Sequence, residues 1–252
     1  MRSQDNSKRP TEIPREAEAK SFDFDSMPWI DEYDHVVESG LDIFSRYDDI
    51  LEAVSEIACP SPGLIVLDIG AGTGNLTFRC LTRGASVVGL DPSEKMLAKA
   101  RAKVESAYLE SKGCRETRFG SEAHQPTVEF RLSENPFLEI PYPDSTFDAV
   151  VGTYAFHHIP HWQQPEGIRE MVRVLRPGGV WAIGEVAFKN AAAELEAKRT
   201  FPWLDEDEYY PHIDSLRSSF SQFHMILHSK QFTPVAWVLW ALKPTVDGGP
   251  GW

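Results

Sequence analysis

Cysteine is scarce in this sequence. Its three cysteines, Cys59, Cys80 and Cys114, are odd in number, widely spaced and without a CxxC pair. This usage argues against a disulfide framework and against a thiolate zinc site, because both need paired cysteines. We therefore predict a protein of the reducing cytoplasm, and we predict no metal site.

Long apolar runs and an excess of positive charge are also absent. No segment approaches the roughly 20 apolar residues that a membrane-spanning helix needs. Residues 1–20 are polar and carry both charge signs, which predicts a disordered tail and neither a secretory signal nor a membrane anchor. The net charge of −13 repels phosphate backbones, and no run of Lys and Arg interleaved with aromatics offsets it. We expect neither membrane nor nucleic acid as a partner, and the oligomeric state stays open.

What the sequence does contain is an alternation of short apolar runs with helical patterns. The run LIVLDI at 64–69, a glycine turn, a helix at 75–84 and a run at 85–90 form one βαβ unit. Further helices are predicted at 93–109 and 167–175, and further strands at 127–132, 147–156, 180–188, 223–228 and 236–242. The pattern predicts an α/β fold with a doubly wound, Rossmann-like, seven-stranded sheet, mostly parallel but ending in an antiparallel hairpin.

The same pattern predicts one large domain with appendages. A chain of 252 residues can bury a single large core. We expect a tail at 1–20, an N-terminal helical cap at 21–60, the main domain at 61–243 with an acidic, aromatic insertion near 190–215, and a flexible tail at 244–252.

The glycine turn follows the pattern D-x-G-x-G-x-G. Its residues are Asp68, Gly70, Gly72 and Gly74. They stand at the carboxyl end of the first strand, where open α/β sheets bind ligands. Glycine permits positive φ there and lets the backbone approach a ligand closely. An ordinary tight turn between strand and helix is the competing interpretation.

Asp91 ends the second strand, about twenty residues after the turn. A carboxylate at this point can accept both hydroxyls of an adenosine ribose, although capping the next helix is the alternative. A dinucleotide fingerprint places its third glycine at position 75, where this chain has Asn75. The spacing therefore weakens the hypothesis of a nicotinamide-dependent oxidoreductase.

Several motifs together carry a resemblance to a known family. LDIGAGTGN, GLDPS, PYPDSTFDAVV, TYAFHH and LRPGG follow one another in the order found in class I S-adenosylmethionine (SAM)-dependent methyltransferases. The chain resembles small bacterial methyltransferases of the ubiquinone and menaquinone biosynthesis type over roughly residues 29–242. The resemblance implies a SAM-binding methyltransferase domain at 61–243.

The resemblance also implies the cofactor contacts. The glycine turn backs the methionine and adenosine portions of SAM, Asp91 holds the ribose, and Thr153 lies beside the sulfonium. Tyr33 belongs to a predicted N-terminal helix that covers the cofactor in the similar proteins, and its ring suits a sulfonium cation. The other contacts implied in this way are Asp68, Ala71, Asn75, Pro92 and Met96.

The adenine end departs from the family pattern. Pro136 stands where an acidic residue commonly follows the third strand. Glu134 and Asn135 each offer an acceptor for the adenine amino group, and Phe137 could cover the ring, but a shifted loop is the alternative.

Methyl transfer from a sulfonium is an in-line displacement that depends mainly on positioning, so a general base is optional. His157 and His158 follow the fourth strand and are the candidate catalytic residues, although a structural role competes for each. If the strand continues, only one of them faces the pocket. The predicted acceptor is a small molecule, and a non-catalytic SAM-binding protein of the same fold is the alternative.

Two aromatic segments are candidates for a lid over the acceptor. They contain Trp29 and Tyr33 before the βαβ core, and Trp203, Tyr209 and Tyr210 after it. Lids that exclude water use such segments, but the same aromatics could simply close the core.

Overall fold

The computed structural model describes residue 25 and residues 32–40, 42–113, 125–205 and 207–245. The predicted tail at 1–20, most of the one at 244–252, and Trp29 lie outside these ranges. The predicted domain boundaries stay predictions. Within the described part of the chain, no helix has the length and apolar content needed to cross a membrane.

Seven strands form one sheet, in the order β3-β2-β1-β4-β5-β7-β6. The strands are β1 (Ile65–Ile69), β2 (Ser86–Asp91), β3 (Val128–Leu132), β4 (Phe147–Thr153), β5 (Leu175–Val186), β6 (His228–Gln231) and β7 (Ala236–Leu242). All neighbouring pairs from β3 to β5 are parallel, whereas β7 runs antiparallel to both β5 and β6. The predicted doubly wound sheet with a C-terminal antiparallel hairpin is confirmed.

Helices cover both faces of this sheet, as the nearly continuous apolar strands require. The helices are α1 (Tyr33–Glu38), α2 (Tyr47–Ala58), α3 (Asn75–Thr82), α4 (Glu94–Gly113), α5 (Gln164–Val174), α6 (Ala191–Thr200) and α7 (Ile213–Ser221). Side chains of β1 alternate, so that Val66 joins the apolar cluster formed with α2 and α3, and Leu67 joins the one formed with α5 and α7. Each face therefore has its own buried core.

The hairpin differs from the prediction in its first strand. The run at 223–228 was expected to be this strand, but β6 begins only at His228. Met225 and Leu227 are buried in the core from an irregular segment instead. The preceding helix α7 was not predicted, although Ile213, Leu216 and Phe220 carry its buried stripe. Because α7 is short and rich in polar residues, the helical spacing of its apolar residues is difficult to recognise in the sequence.

Other boundaries also moved. β4 ends at Thr153, before the predicted end at 156, because Tyr154 has φ 50° and leaves the extended conformation. α5 ends at Val174, one residue before the predicted end, and the LRPGG motif that begins at Leu175 is part of β5. The predicted acidic, aromatic insertion contains α6, whose start is capped by the Asn190 side chain accepting from the Ala193 N–H at 3.1 Å.

Candidate functional site

The glycine turn joins the carboxyl end of β1 to α3. Gly70, Gly72 and Gly74 have φ of 70°, 53° and 80°, in the left-handed region that favours glycine. The Gly70 N–H donates to the Leu90 carbonyl at 2.8 Å, and this bond ties the turn to the end of β2. The predicted turn thus has the backbone that its sequence requires.

The three glycines meet different surroundings. A Cβ on Gly70 would lie 2.3 Å from the Cβ of Ala155, and one on Gly74 would lie 3.0 Å from the Cβ of Ala100. A Cβ on Gly72 would meet no described atom nearer than the Gly70 carbonyl oxygen at 4.0 Å. Gly70 and Gly74 are therefore needed for packing, whereas Gly72 borders space that a ligand can occupy.

Asp91 lies at the end of β2, directly against this turn. Its Oδ2 accepts from the Gly72 N–H at 2.8 Å, and its Oδ1 accepts from the Ser93 N–H at 2.9 Å. Burial raises the pKa of Asp91 to about 6, although the two backbone hydrogen bonds oppose the rise. A carboxylate oxygen has two acceptor positions, so both oxygens keep one for ribose hydroxyls.

Asp68 lies beneath the turn. It is 1% exposed, and its Oδ2 accepts from the Thr77 hydroxyl at 2.6 Å. Burial raises the pKa of Asp68 to about 7, and the negative charge of Asp91 adds to the rise. The hydrogen bond to Thr77 fixes the first turn of α3. Asp68 therefore affects the cofactor indirectly, by holding the glycine turn in position.

The N-terminal segment is tied to the turn by Asp34. Its Oδ1 accepts from the Thr73 hydroxyl and, at 3.3 Å, from the Asn75 amide, while its Oδ2 lies 3.1 Å from Lys103 Nζ. Burial opposes ionisation, but the Thr73 hydrogen bond and the Lys103 charge outweigh it and lower the pKa of Asp34. These contacts hold α1 beside the glycine turn.

Asp25 brings a second part of this segment to the site. It accepts from the Ser93 hydroxyl, and its carbonyl accepts from Lys95 Nζ at 2.5 Å. Ser93 in turn accepts from the Met96 N–H at 3.0 Å and caps the start of α4. Pro92 is half-buried and Met96 is buried.

Four aromatic rings pack together next to the end of β4, which Tyr154 follows directly. Phe44 contacts Tyr33, Tyr47 and Tyr154 at centroid distances of 6.1, 5.8 and 5.4 Å, and Tyr47 stacks on Tyr154 at 5.6 Å. The Tyr154 hydroxyl donates to the Ile43 carbonyl at 3.1 Å. Burial raises the pKa of Tyr33 well above its usual range, and the charges of nearby groups including Asp91 add to the rise. Tyr33 precedes Asp34, the residue whose side chain contacts the glycine turn.

The sequence analysis did not single out Phe44 or Tyr154 as site residues. Tyr154 stands inside the TYAFHH motif, so its position next to Thr153 was the available signal. Thr153 itself is half-buried and pairs with Gly184 of β5, and Ala71 of the turn is 7% exposed.

The segment after β3 leaves the adenine contacts as predictions. Glu134 and Asn135 are exposed, whereas Pro136 is buried. Phe137 is 5% exposed and packs edge-on against Phe156 at 5.4 Å. Phe137 therefore belongs to the core wall next to Gly70, and the two polar residues keep their side chains outside it.

His157 and His158 lie in a short 3-10 helix, Phe156–His158, and not on an extended strand. The expectation that only one of them faces the pocket rested on strand alternation, and that premise is wrong. Their ring centroids are only 4.2 Å apart. The tight turn brings both imidazoles to the same region.

His157 pairs with Glu185, which the sequence analysis missed. The His157 Nδ1 hydrogen-bonds Glu185 Oε1 at 2.7 Å, and both side chains are buried. Glu185 Oε2 accepts from the N–H groups of Ala155 and Phe156, at 3.1 and 2.9 Å. Burial lowers the pKa of His157, but attraction to Glu185 outweighs it and the pKa is raised. An acidic residue within the apolar run of β5 was the signal for Glu185.

His158 has a different environment. Its Nδ1 lies 3.2 Å from Glu208 Oε2, and the side chain is 30% exposed. Burial and the neighbouring positive charge of His157 lower the pKa of His158, against the opposing effect of Glu208. The two histidines therefore differ in charge over the pH range between their pKa values.

The second aromatic segment divides into core and surface. Tyr210 is 4% exposed, and its hydroxyl accepts from the Asp205 N–H at 3.0 Å. Trp203 and Tyr209 are 36% and 40% exposed. The Tyr209 N–H donates to the His157 carbonyl at 3.0 Å, so this segment runs alongside the histidine turn.

The combination of this sheet order with a glycine turn after β1 and an acid at the end of β2 defines a class I SAM-dependent methyltransferase. A family model described as a methyltransferase domain matches residues 66–179. An uncharacterized methyltransferase of Geobacillus sp. (strain WCH70) is 32% identical over 228 residues, covering 85% of this chain and 94% of the relative. An uncharacterized methyltransferase of Oceanobacillus iheyensis is 30% identical over 209 residues, covering 80% and 85%.

A solved structure gives the same fold. Magnesium protoporphyrin IX methyltransferase from Synechocystis PCC 6803, with bound SAH, has a TM-score of 0.62 at 18% identity, covering 87% of this chain and 96% of that one. The chain belongs to the methyltransferase family of these relatives, and SAM is its cofactor. The finer resemblance to the ubiquinone and menaquinone type stays a prediction.

Proposed function

We propose that this methyltransferase acts on a small-molecule acceptor that binds beside His157. The observation that carries the proposal is the buried pair of His157, in the 3-10 helix after β4, and Glu185, on β5. β4 is the neighbour of β1 in the sheet, and β1 leads into the glycine turn. His157 therefore lies shortly after Thr153, the last residue of β4, which is predicted to lie beside the sulfonium.

The residues around the turn fit the cofactor. Gly72 offers backbone without a side chain, and Asp91 keeps free acceptor positions for two ribose hydroxyls. Tyr33 and its aromatic neighbours exclude water on the N-terminal side. When bound, SAM supplies an activated methyl group on its sulfonium.

His157 has the contacts of a proton acceptor. Its Nδ1–H donates to Glu185, which fixes the ring and leaves Nε2 to take a proton from the acceptor. The same pair stabilises the imidazolium that forms. Because attraction to Glu185 raises the pKa of His157, the neutral form needed for this role grows as the pH rises. Such a base contributes about 10²–10⁴-fold in rate, and positioning of the acceptor supplies the larger share.

The charge of the chain supports a small acceptor. A net charge of −13 gives long-range repulsion of nucleic acid, which a small neutral or cationic molecule does not experience. The residues proposed to contact the acceptor are His158, whose ring lies 4.2 Å from that of His157, and the exposed Tyr209, whose N–H donates to the His157 carbonyl.

The test follows SAH formation from SAM with three substrates: a small-molecule extract, total RNA and DNA, and intact proteins. We expect product with the small-molecule fraction alone. His157→Gln should lower that rate by about 10²–10⁴-fold while SAM affinity stays within twofold of the parent. His224→Gln, an exposed histidine outside the site, is the control.

The outcomes separate the alternatives. Methylation of nucleic acid or protein alone would contradict the small acceptor. A His157→Gln rate equal to that of the control would remove His157 from the chemistry. SAM binding without product from any fraction would favour the non-catalytic alternative.

A further inference from the structure

Next to the proposed acceptor site, two histidines and a glutamate converge from three separate elements. His161 lies in the loop before α5, Glu194 in the first turn of α6, and His212 is the residue before α7. One possible ligand atom from each lies within 4.8 Å of the other two. We propose that these side chains form a binding site for a divalent transition-metal ion, with Zn²⁺ as its best match.

The donor set suits zinc. Two imidazole nitrogens and one carboxylate oxygen form a ligand set found in zinc proteins, at about 2.0–2.2 Å from the metal and with water in the fourth position. His212 Nε2 now hydrogen-bonds Glu194 Oε2 at 2.7 Å, and the His161 and His212 rings stack at 4.7 Å. Small side-chain rotations would open this hydrogen bond and admit the ion between the three groups.

Neighbouring side chains hold the three proposed ligands in position. Lys198 Nζ lies 2.9 Å from Glu194 Oε1, so the other carboxylate oxygen is directed toward the histidines. The His161 ring packs edge-on against the Tyr209 ring at a centroid distance of 5.8 Å. Gln164 is buried and donates its amide to the Tyr209 carbonyl at 2.8 Å. Such outer contacts orient metal ligands and often change affinity by about 10–100-fold.

Access and placement also favour this set. Glu194 and His212 side chains are only 13% and 16% exposed, while His161 is exposed and leaves an entry path. His157, His158 and Glu208 form another set with suitable spacing, but its two histidines belong to the proposed acceptor site. An ion at His161 would instead clamp α6 and α7 to the loop that follows the histidine turn.

The proposal reverses the prediction of no metal site, and the reason is physical. That prediction rested on the absence of paired cysteines. His161, Glu194 and His212 are far apart in sequence, and only the folding of α6 and α7 onto one end of the sheet brings them together.

The test uses the untagged full chain, stripped with a chelator and then titrated with Zn²⁺ alone by calorimetry. We expect one equivalent to bind, and the melting temperature to rise by about 5–10 °C at a hundredfold excess over Kd. Co²⁺ should give the visible absorption of a four-coordinate site. SAM titrations run in parallel report on the methyltransferase site independently.

Four variants locate the ion. His161→Ala changes an exposed side chain and should keep the fold, as circular dichroism will check, yet weaken zinc by at least a hundredfold. Glu194→Gln should do the same, and His228→Ala, an exposed histidine on β6, should bind as the parent does. No zinc binding by the parent, parent-like binding by His161→Ala and Glu194→Gln, or loss confined to His158→Gln would each overturn the proposal, whatever the SAM titrations give.

Discussion

Replacing Gly72 by alanine should weaken SAM binding by more than backbone strain alone explains. An added Cβ there meets no described protein atom nearer than the Gly70 carbonyl oxygen at 4.0 Å, so the protein itself leaves room for it. The backbone has φ 53°, and the left-handed conformation costs a non-glycine residue about 1–2 kcal/mol. In a chain of this size, that cost lowers the melting temperature by about 2–8 °C.

A matched control carries the same strain away from the site. Gly178 has φ 80°, and its Cβ would make an ordinary contact with Thr245 Cγ2 at 3.5 Å. Gly178→Ala should therefore lose similar stability and keep its affinity for SAM. Gly72→Ala places a methyl group where SAM approaches the backbone, so its Kd should rise at least tenfold, equivalent to about 1.4 kcal/mol.

The assay is calorimetric titration with SAM, paired with a thermal melt of each variant without ligand. Gly72→Val should lose still more affinity, because a β-branched side chain is both larger and more strained at positive φ. Equal SAM affinity in Gly72→Ala and Gly178→Ala would refute the proposed approach of the cofactor to this turn. A strong loss of stability in Gly72→Ala but not in Gly178→Ala would mean that the added methyl group clashes with neighbouring protein atoms.

The remaining predictions concern the two carboxylates beside the turn. The pKa of Asp91 is about 6, and its ionised form accepts the ribose hydroxyls. SAM affinity should therefore fall as the pH drops from 7 to 5, by up to about tenfold for each pH unit below 6. Asp91→Asn should bind at least tenfold more weakly with a flatter pH profile, and a parent profile that is already flat would contradict the assignment. Asp34→Asn should loosen α1 from Thr73 and Lys103, so amide exchange in α1 should accelerate and the SAM Kd should rise severalfold. Unchanged exchange in α1 would show that Asp34 does not hold it.

The glycine turn and Asp91 were predictable because their signals are local. A strand, a turn and the next strand are consecutive in sequence, and a parallel βαβ unit places the carboxyl ends of β1 and β2 at the same edge of the sheet. Asp68 and Gly89 are paired in the register of these strands, which sets Asp91 beside Gly72. No long-range information was needed for this half of the site.

The histidine turn shows where local patterns failed. The apolar run at 147–156 indicated a strand through Phe156, but Tyr154 takes positive φ and the chain turns. That conformation is stabilised by contacts from elsewhere, including Glu185, which accepts from the backbone of Ala155 and Phe156. Glu185 is far away in sequence, so the apolar pattern of residues 147–156 could not indicate its effect on this backbone.

The sequence by itself determined the fold class, the glycine turn and the acid that follows β2, because hydrophobic periodicity and glycine spacing act over a few residues. Only the tertiary structure decided which distant side chains meet. It paired His157 with Glu185, tied Asp34 to Thr73 and Lys103, and brought His161, Glu194 and His212 together. Those contacts depend on how β5, α4, α6 and α7 pack around the sheet, and packing is set by all of the buried surfaces at once.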